Sequence, residues 1–193
     1  MTQELLKQEK TTILQSFPSE CQKELKELLN EISIQSEHVC NQTFTVNKSL
    51  QIPIRIYWEE HKLLEPTNLS ELKSCLLSCI LTRHHSGYTR EKHLKNIITS
   101  KLDWTAIFIL QLCGEYVIQI LDIIYSNLNS DLIIKLRTQI EKDPQFWELT
   151  KSRIISYWNC YYRKKNKESV LGYLKEDYVG FKIIQALEEK TKA

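Results

Sequence analysis

The stretch from Cys79 to Leu128 constrains the fold most, because its apolar residues recur every three or four positions and the pattern is broken twice at glycine. Aligning Gly87 with Gly114 brings Leu94 onto Leu121, Ile97 onto Ile124 and Ile98 onto Tyr125. Spacing of this kind places apolar side chains on one face of a helix. A helix pair with one apolar face cannot cover itself, so such pairs stack on their neighbours. The sequence therefore predicts an all-α fold, with one small insert, in which helical hairpins over 68–190 stack into an α-α superhelix.

The rest of the chain is read around that spine as one domain over 1–193. Residues 1–41 read as N-terminal helices, with Ser19 and Gln22 spaced as a capping box ahead of Leu25, Leu28, Leu29 and Ile32. Over 42–60 the period changes. Phe44 and Val46, then Ile52, Ile54 and Ile56, alternate with polar or turn residues around Asn47-Lys48-Ser49, which predicts a β-hairpin or an extended insert. Pro53 has no N–H to donate and belongs at a sheet edge.

Further helix starts are predicted at Asn68-x-x-Glu71, Ser86, Asp103, Ser130 and Asp143-Pro144, each a side-chain acceptor ahead of an apolar run. A short helix is expected around Val170–Leu174, and a last one near Asp177–Glu189 with Val179, Ile183, Ile184 and Leu187 inward.

Composition excludes several classes of function. A formal net charge of +2 gives no global attraction to nucleic acid or an anionic membrane, so any such role must come from a local patch. The richest apolar window, Ile107 to Tyr125, is interrupted by Gln111, Glu115, Gln119 and Asp122, so no membrane span is predicted. The opening MTQELLKQEK lacks the layout of a secretory signal, which gives a cytoplasmic expectation. The six cysteines are then read as reduced thiols packed as small hydrophobes. The four glycines are isolated, so no phosphate loop is present, and no cofactor is indicated.

Two local groupings could carry chemistry. Cys75, Cys79, His84 and His85 combine metal-ligand types, but not at a standard zinc spacing, and both cysteines also fit an apolar stripe. The two histidines titrate near neutrality, yet no nucleophile signature stands beside them, and they are read instead as terminating a helix, where a cation favours the C-terminal dipole. The reading is therefore non-catalytic, with no metal site.

The second grouping is Trp158-Asn-Cys-Tyr161-Tyr162-Arg163-Lys164-Lys165-Asn166-Lys167, aromatics interleaved with cations. Such a run can stack bases and neutralise phosphates, with Arg83, Arg90, Lys92 and Lys95 widening the groove. The preferred reading of the run is that Trp158 and Tyr161 are core and the cations solvate the helix end. Arg83, His84, His85, Tyr88, Lys92, Tyr162, Arg163, Lys164 and Lys165 make up the candidate binding surface.

The segment Ser86-Gly-Tyr-Thr-Arg90-Glu91 followed by Leu94 resembles the start of the second helix of HEAT-type repeats, and Phe108–Leu112 leading into Glu115-Tyr-Val117 resembles the next repeat's passage between helices. The resemblance implies a structural ladder in which Arg90 pairs with Glu115 or Asp122. The stretch from Ile52 to Leu128 is also similar to bacterial proteins carrying an RHH-x-GY-x-RE-x-x-L segment and a later GEYV, a likeness that implies no activity. The function expected is a helical-repeat scaffold for a protein or peptide partner, with nucleic acid as the alternative.

Overall fold

The computed structural model describes residues 3–32, 36–38, 42–59, 68–164 and 172–189. Lys165 and the first two residues of the expected helix at Val170–Leu174 lie outside the described residues; the other three, from Gly172 to Leu174, are not helical. The described chain is mostly helical, with two small two-stranded antiparallel sheets. No described helix is long and apolar enough to cross a membrane. The chain divides into two compact units, Met1–Ser100 and Lys101–Ala193.

In the first unit, α1 (Gln3–Leu14) and α2 (Gln22–Glu31) pack together, α2 burying Leu25, Leu28 and Leu29. The Gln22 side chain does not close a capping box. It reaches back to the carbonyls of Leu14 and Phe17, at 2.8 and 3.1 Å, and pins the turn between the helices. The region expected to be only helical to residue 41 departs from that after Glu31. Ser36–His38 is a strand, β1, paired with β4 (Tyr57–Trp58).

Between them stands the expected hairpin, β2 (Thr43–Val46) against β3 (Leu50–Pro53). Asn47 and Lys48 turn it with φ of 51° and 64°, the two left-handed residues that match a hairpin's twist. β3 ends at Pro53, so Ile54 and Ile56 do not extend it. Ile56 instead bridges to His84.

Helices α3 (Glu71–Leu81) and α4 (Gly87–Ile97) complete the unit. Ser70, not Asn68, caps α3, accepting from the Lys73 N–H. Ser86 caps α4 as expected, and Leu94 and Ile97 are buried.

One buried group gives this unit a pH dependence. Glu9 is 3% exposed, its Oε1 accepts from the Trp58 indole at 2.8 Å, and its Oε2 has no hydrogen-bond partner among the described residues. Loss of hydration on burial pushes its carboxyl from the usual 4.5 up to about 7, with the indole bond opposing part of the rise. Between those values the folded chain holds a proton that the unfolded chain has released. The stabilisation is therefore full below pH 4.5 and is lost as pH rises through about 7. Glu9→Gln keeps an acceptor for Trp58 and removes the titration. Denaturant unfolding at pH 5 and pH 8 should show about 2 kcal/mol less pH-dependent loss in the variant. Equal slopes for both proteins would refute the assignment.

In the second unit, α5 (Thr105–Cys113) is buried along its whole length and packs against α6 (Ile118–Ser126), α7 (Ser130–Lys142) and α8 (Pro144–Tyr157). α9 (Val179–Glu188) lies on α6, α7 and α8, so the last helix closes the unit against elements distant in sequence. Asn129 rather than Ser130 caps α7, and α5 has no side-chain cap, so Asp103 does not serve as one. Asp143-Pro144 opens α8 as expected, with Asp143 Oδ1 accepting from the Phe146 N–H at 3.0 Å. Leu121 and Ile124 are buried in α6 as Leu94 and Ile97 are in α4, and the two copies of the pattern fall in different units.

Candidate functional site

The residues first singled out for chemistry prove to be fasteners in the first unit. Arg83 is 0% exposed. Its guanidinium donates to the carbonyls of Pro53 (3.1 Å), Ile54 (2.8 Å) and Thr82 (3.3 Å), tying the hairpin's exit to the end of α3. Backbone bonds double the tie, from the Ile56 N–H to the Arg83 carbonyl and from the His85 N–H to the Ile56 carbonyl.

His84 is buried as well. Its Nδ1 accepts the Ser86 N–H, which assigns the remaining ring proton to Nε2, and Nε2 donates to the Trp58 carbonyl at 2.7 Å. Neither nitrogen is left to bind a metal or move a proton. Arg90 is buried too, with Nη1 donating to the carbonyls of His84 and His85. So the Arg-His-His segment and Arg90 hold a loop.

The remaining members of that grouping behave similarly. Cys79 is fully buried, Cys75 Sγ lies 3.7 Å from Ser100 Oγ, and His85 stacks on Tyr57. Among the described residues no three His, Cys, Asp or Glu side chains form a metal-binding group. Burial pushes the Cys21 thiol up to about 11 and that of Cys113 to about 12, which keeps both protonated and unreactive. Tyr88, 88% exposed, and Lys92 remain on the surface.

The aromatic and basic grouping in the second unit is different. After Tyr157 the helix continues as a π turn, Trp158–Tyr162, recorded by the Arg163 N–H donating to the Trp158 carbonyl at 2.7 Å. A π turn holds an extra residue, so everything after it slips in phase, and such turns cluster at functional sites. In an unbroken helix Tyr161 would share the face of the buried Ile154, two turns earlier. Instead it is 68% exposed. The core reading fails for Tyr161, and no sequence signal marks the turn.

Two layers of rings result. The inner layer is Tyr178, 0% exposed, stacked on Tyr162 at 5.4 Å and meeting Phe181 edge-on, while Phe181 also meets Trp158 at 5.2 Å. Burial raises the hydroxyl pKa of both Tyr162 and Tyr178, so they stay neutral and are poor nucleophiles. The outer layer is Tyr116, Tyr157 and Tyr161, in mutual ring contact, with Tyr173, 40% exposed, beside Tyr162. The Tyr162 hydroxyl donates to the Tyr116 carbonyl and ties the α5–α6 connection to the π turn.

Cations sit over the rings: Arg163 lies 5.5 Å from the Trp158 ring and Lys175 5.3 Å from Phe181. Lys164 is half-buried. Asp122, close enough to raise the Tyr162 and Tyr178 hydroxyls, and the exposed Glu176 and Asp177 offset this charge. Glu115 is buried in this unit, while Asp122 is exposed. No family model, curated protein or solved structure matches this chain. Its function must be read from the surface itself.

Proposed function

We propose that the chain is a non-catalytic helical scaffold that holds a protein or peptide partner against the tyrosine-rich end of its second unit. The observation carrying this reading is the exposure of Tyr161, at 68%, on a backbone irregularity that turns it outward beside Tyr116 and Tyr157. Tyrosine offers a large contact area and a polar tip for little conformational entropy, and is enriched where proteins meet. The stacking of helix pairs into a HEAT-like superhelix belongs to the same proposal. The matching burial of Leu94 with Leu121, and of Ile97 with Ile124, supports it. A cytoplasmic setting, in which the cysteines stay reduced, is part of the same proposal.

Charge favours protein over nucleic acid. Arg83 and Arg90, expected to widen a basic groove, are buried, and Lys95 is paired with Glu91 at 2.7 Å. At the tyrosine-rich end carboxylates stand among the cations, which weakens any phosphate track. The full chain and a Tyr157→Ser/Tyr161→Ser variant, used as bait in extract of the native organism, test the proposal. A protein retained by the first and lost by the second is expected. The proposal fails if both retain the same proteins, or if the bound material is nucleic acid released steeply by salt.

A further inference from the structure

The geometry points to a proton-operated latch in the first unit: Glu9 holds Trp58, and with it the β1–β4 ribbon, closed while its carboxyl is neutral, and releases them when it ionises. The latch lies apart from the tyrosine-rich end and does not depend on the scaffold reading above.

Glu9 lies on the inward face of α1, one turn before the buried Ile13. Its carboxyl has a single hydrogen bond, from the Trp58 indole, and Oε2 has no partner. Nothing around it offsets a charge. β3 carries no ionisable side chain, and β4 carries only the exposed Tyr57. α2 turns Leu25, Leu28 and Leu29 inward, and its charged residues are exposed or half-buried, as are Lys7 and Lys10 beside Glu9 on α1. Burial and the indole bond are the influences that act on the carboxyl. A neutral acid costs far less to bury in such a place than a carboxylate, and ionisation is relieved by bringing water to Oε2.

What yields is set by what is tied down. The Ile56 N–H donates to the Arg83 carbonyl, the Ile56 carbonyl accepts the His85 N–H, and the Ile54 N–H donates to the Gln42 carbonyl. Those bonds bound the ribbon. Beyond them β4 is two residues long and β1 three, their register is irregular, and Trp58 is the buried residue of β4. So short a pair has little stability of its own, which makes Trp58 its anchor. His84 faces Trp58 from the other side, its Nε2 donating to the Trp58 carbonyl, and acts with the opposite sign. Protonating its Nδ1 removes the acceptor of the Ser86 N–H and loosens the loop as pH falls, whereas Glu9 frees the ribbon as pH rises. Two further histidines face the ribbon: His85 is stacked on Tyr57, and His38 stands opposite Tyr57 in the β1–β4 register. Both are unaltered in Glu9→Gln, so that variant separates their effect from the latch.

Hydrogen exchange of the full chain, expressed as protection over the intrinsic rate at each pH, tests the latch. From pH 5 to pH 8 protection in Ser36–His38 and Tyr57–Trp58 should fall about fiftyfold, the change for a carboxyl that returns to its ordinary range when the ribbon opens. Urea too dilute to unfold the unit should leave this exchange unchanged, because a local opening exposes little surface. β2 and β3 should stay at least about tenfold better protected than the ribbon at both pH values. In Glu9→Gln the ribbon's protection should stay constant within about threefold. The Trp58 indole N–H resonance of the unaltered chain gives a readout that needs no variant, and it should shift with a midpoint near pH 7. A fall that persists in Glu9→Gln assigns the release to the histidines. Ribbon exchange that matches the hairpin's at both pH values means that the unit opens only as a whole. Either result overturns the latch, as does an indole resonance that does not move between pH 5 and pH 8.

Discussion

Arg83→Ala is expected to destabilise the first unit by about 3–5 kcal/mol, the value of two or three charge-assisted hydrogen bonds to buried carbonyls. The guanidinium is wholly buried and holds the carbonyls of Pro53 and Ile54. Removing it strands those acceptors and leaves a void where the hairpin meets α3. Hydrogen exchange should rise first in Thr43–Pro53 and in the last turn of α3. Lysine should recover less than half of the loss, because a single ammonium cannot reproduce a fork aimed at separate carbonyls. Exchange unchanged in both segments would show that the hairpin is held by other means.

The second large effect is expected at Gly180, near the start of α9. A Cβ built there would stand 2.6 Å from Ile154 Cγ2 and 2.6 Å from Tyr178 Cε1, both on side chains with 0% exposure. Neither neighbour can yield, because Ile154 is packed in α8 and the Tyr178 ring is fixed between Tyr162 and Phe181. Gly180→Ala should therefore cost about 2–3 kcal/mol through overpacking, and Gly180→Val more. The sign is informative because helix propensity argues the other way, favouring alanine by about 1 kcal/mol. Thermal unfolding of the variant decides between them. A higher melting temperature would mean that α9 does not press on α8 as closely as described.

Much of this fold is legible in the sequence because its determinants are local. Ser86 and Asp143-Pro144 announce α4 and α8 through a side-chain acceptor at the right offset, and the structure places both caps where the spacing does. Phe44, Val46 and Ile52 alternate around a turn at Asn47, and the hairpin forms there. The failures share a different cause. The acceptors of Arg83 are backbone carbonyls some thirty positions away, and a carbonyl has no residue type, so a buried clamp looks like a surface cation in the sequence. β1 spans only Ser36–His38, too short to establish a period, and its partner β4 is shorter still. Tyr161 misleads because helical phase was carried through a π turn that changes it. The candidate surface was legible in its residue types, Tyr162, Arg163 and Lys164, and not in its geometry. Tyr116 and Tyr157 join it only through folding.

If recognition belongs to the tyrosine-rich end while the Arg-His-His segment is structural, stability and binding must separate between them. Thermal melts of Tyr161→Ser and Arg83→Ala, recorded side by side with the unaltered chain, measure that separation directly. Tyr161→Ser is expected to melt within about 2 °C of the unaltered chain, because an exposed ring outside the core contributes little to stability. Arg83→Ala should fall by about 10 °C or more. A Tyr161→Ser melt lowered as far as that of Arg83→Ala would mean that the tyrosines hold the fold together, and would contradict the account.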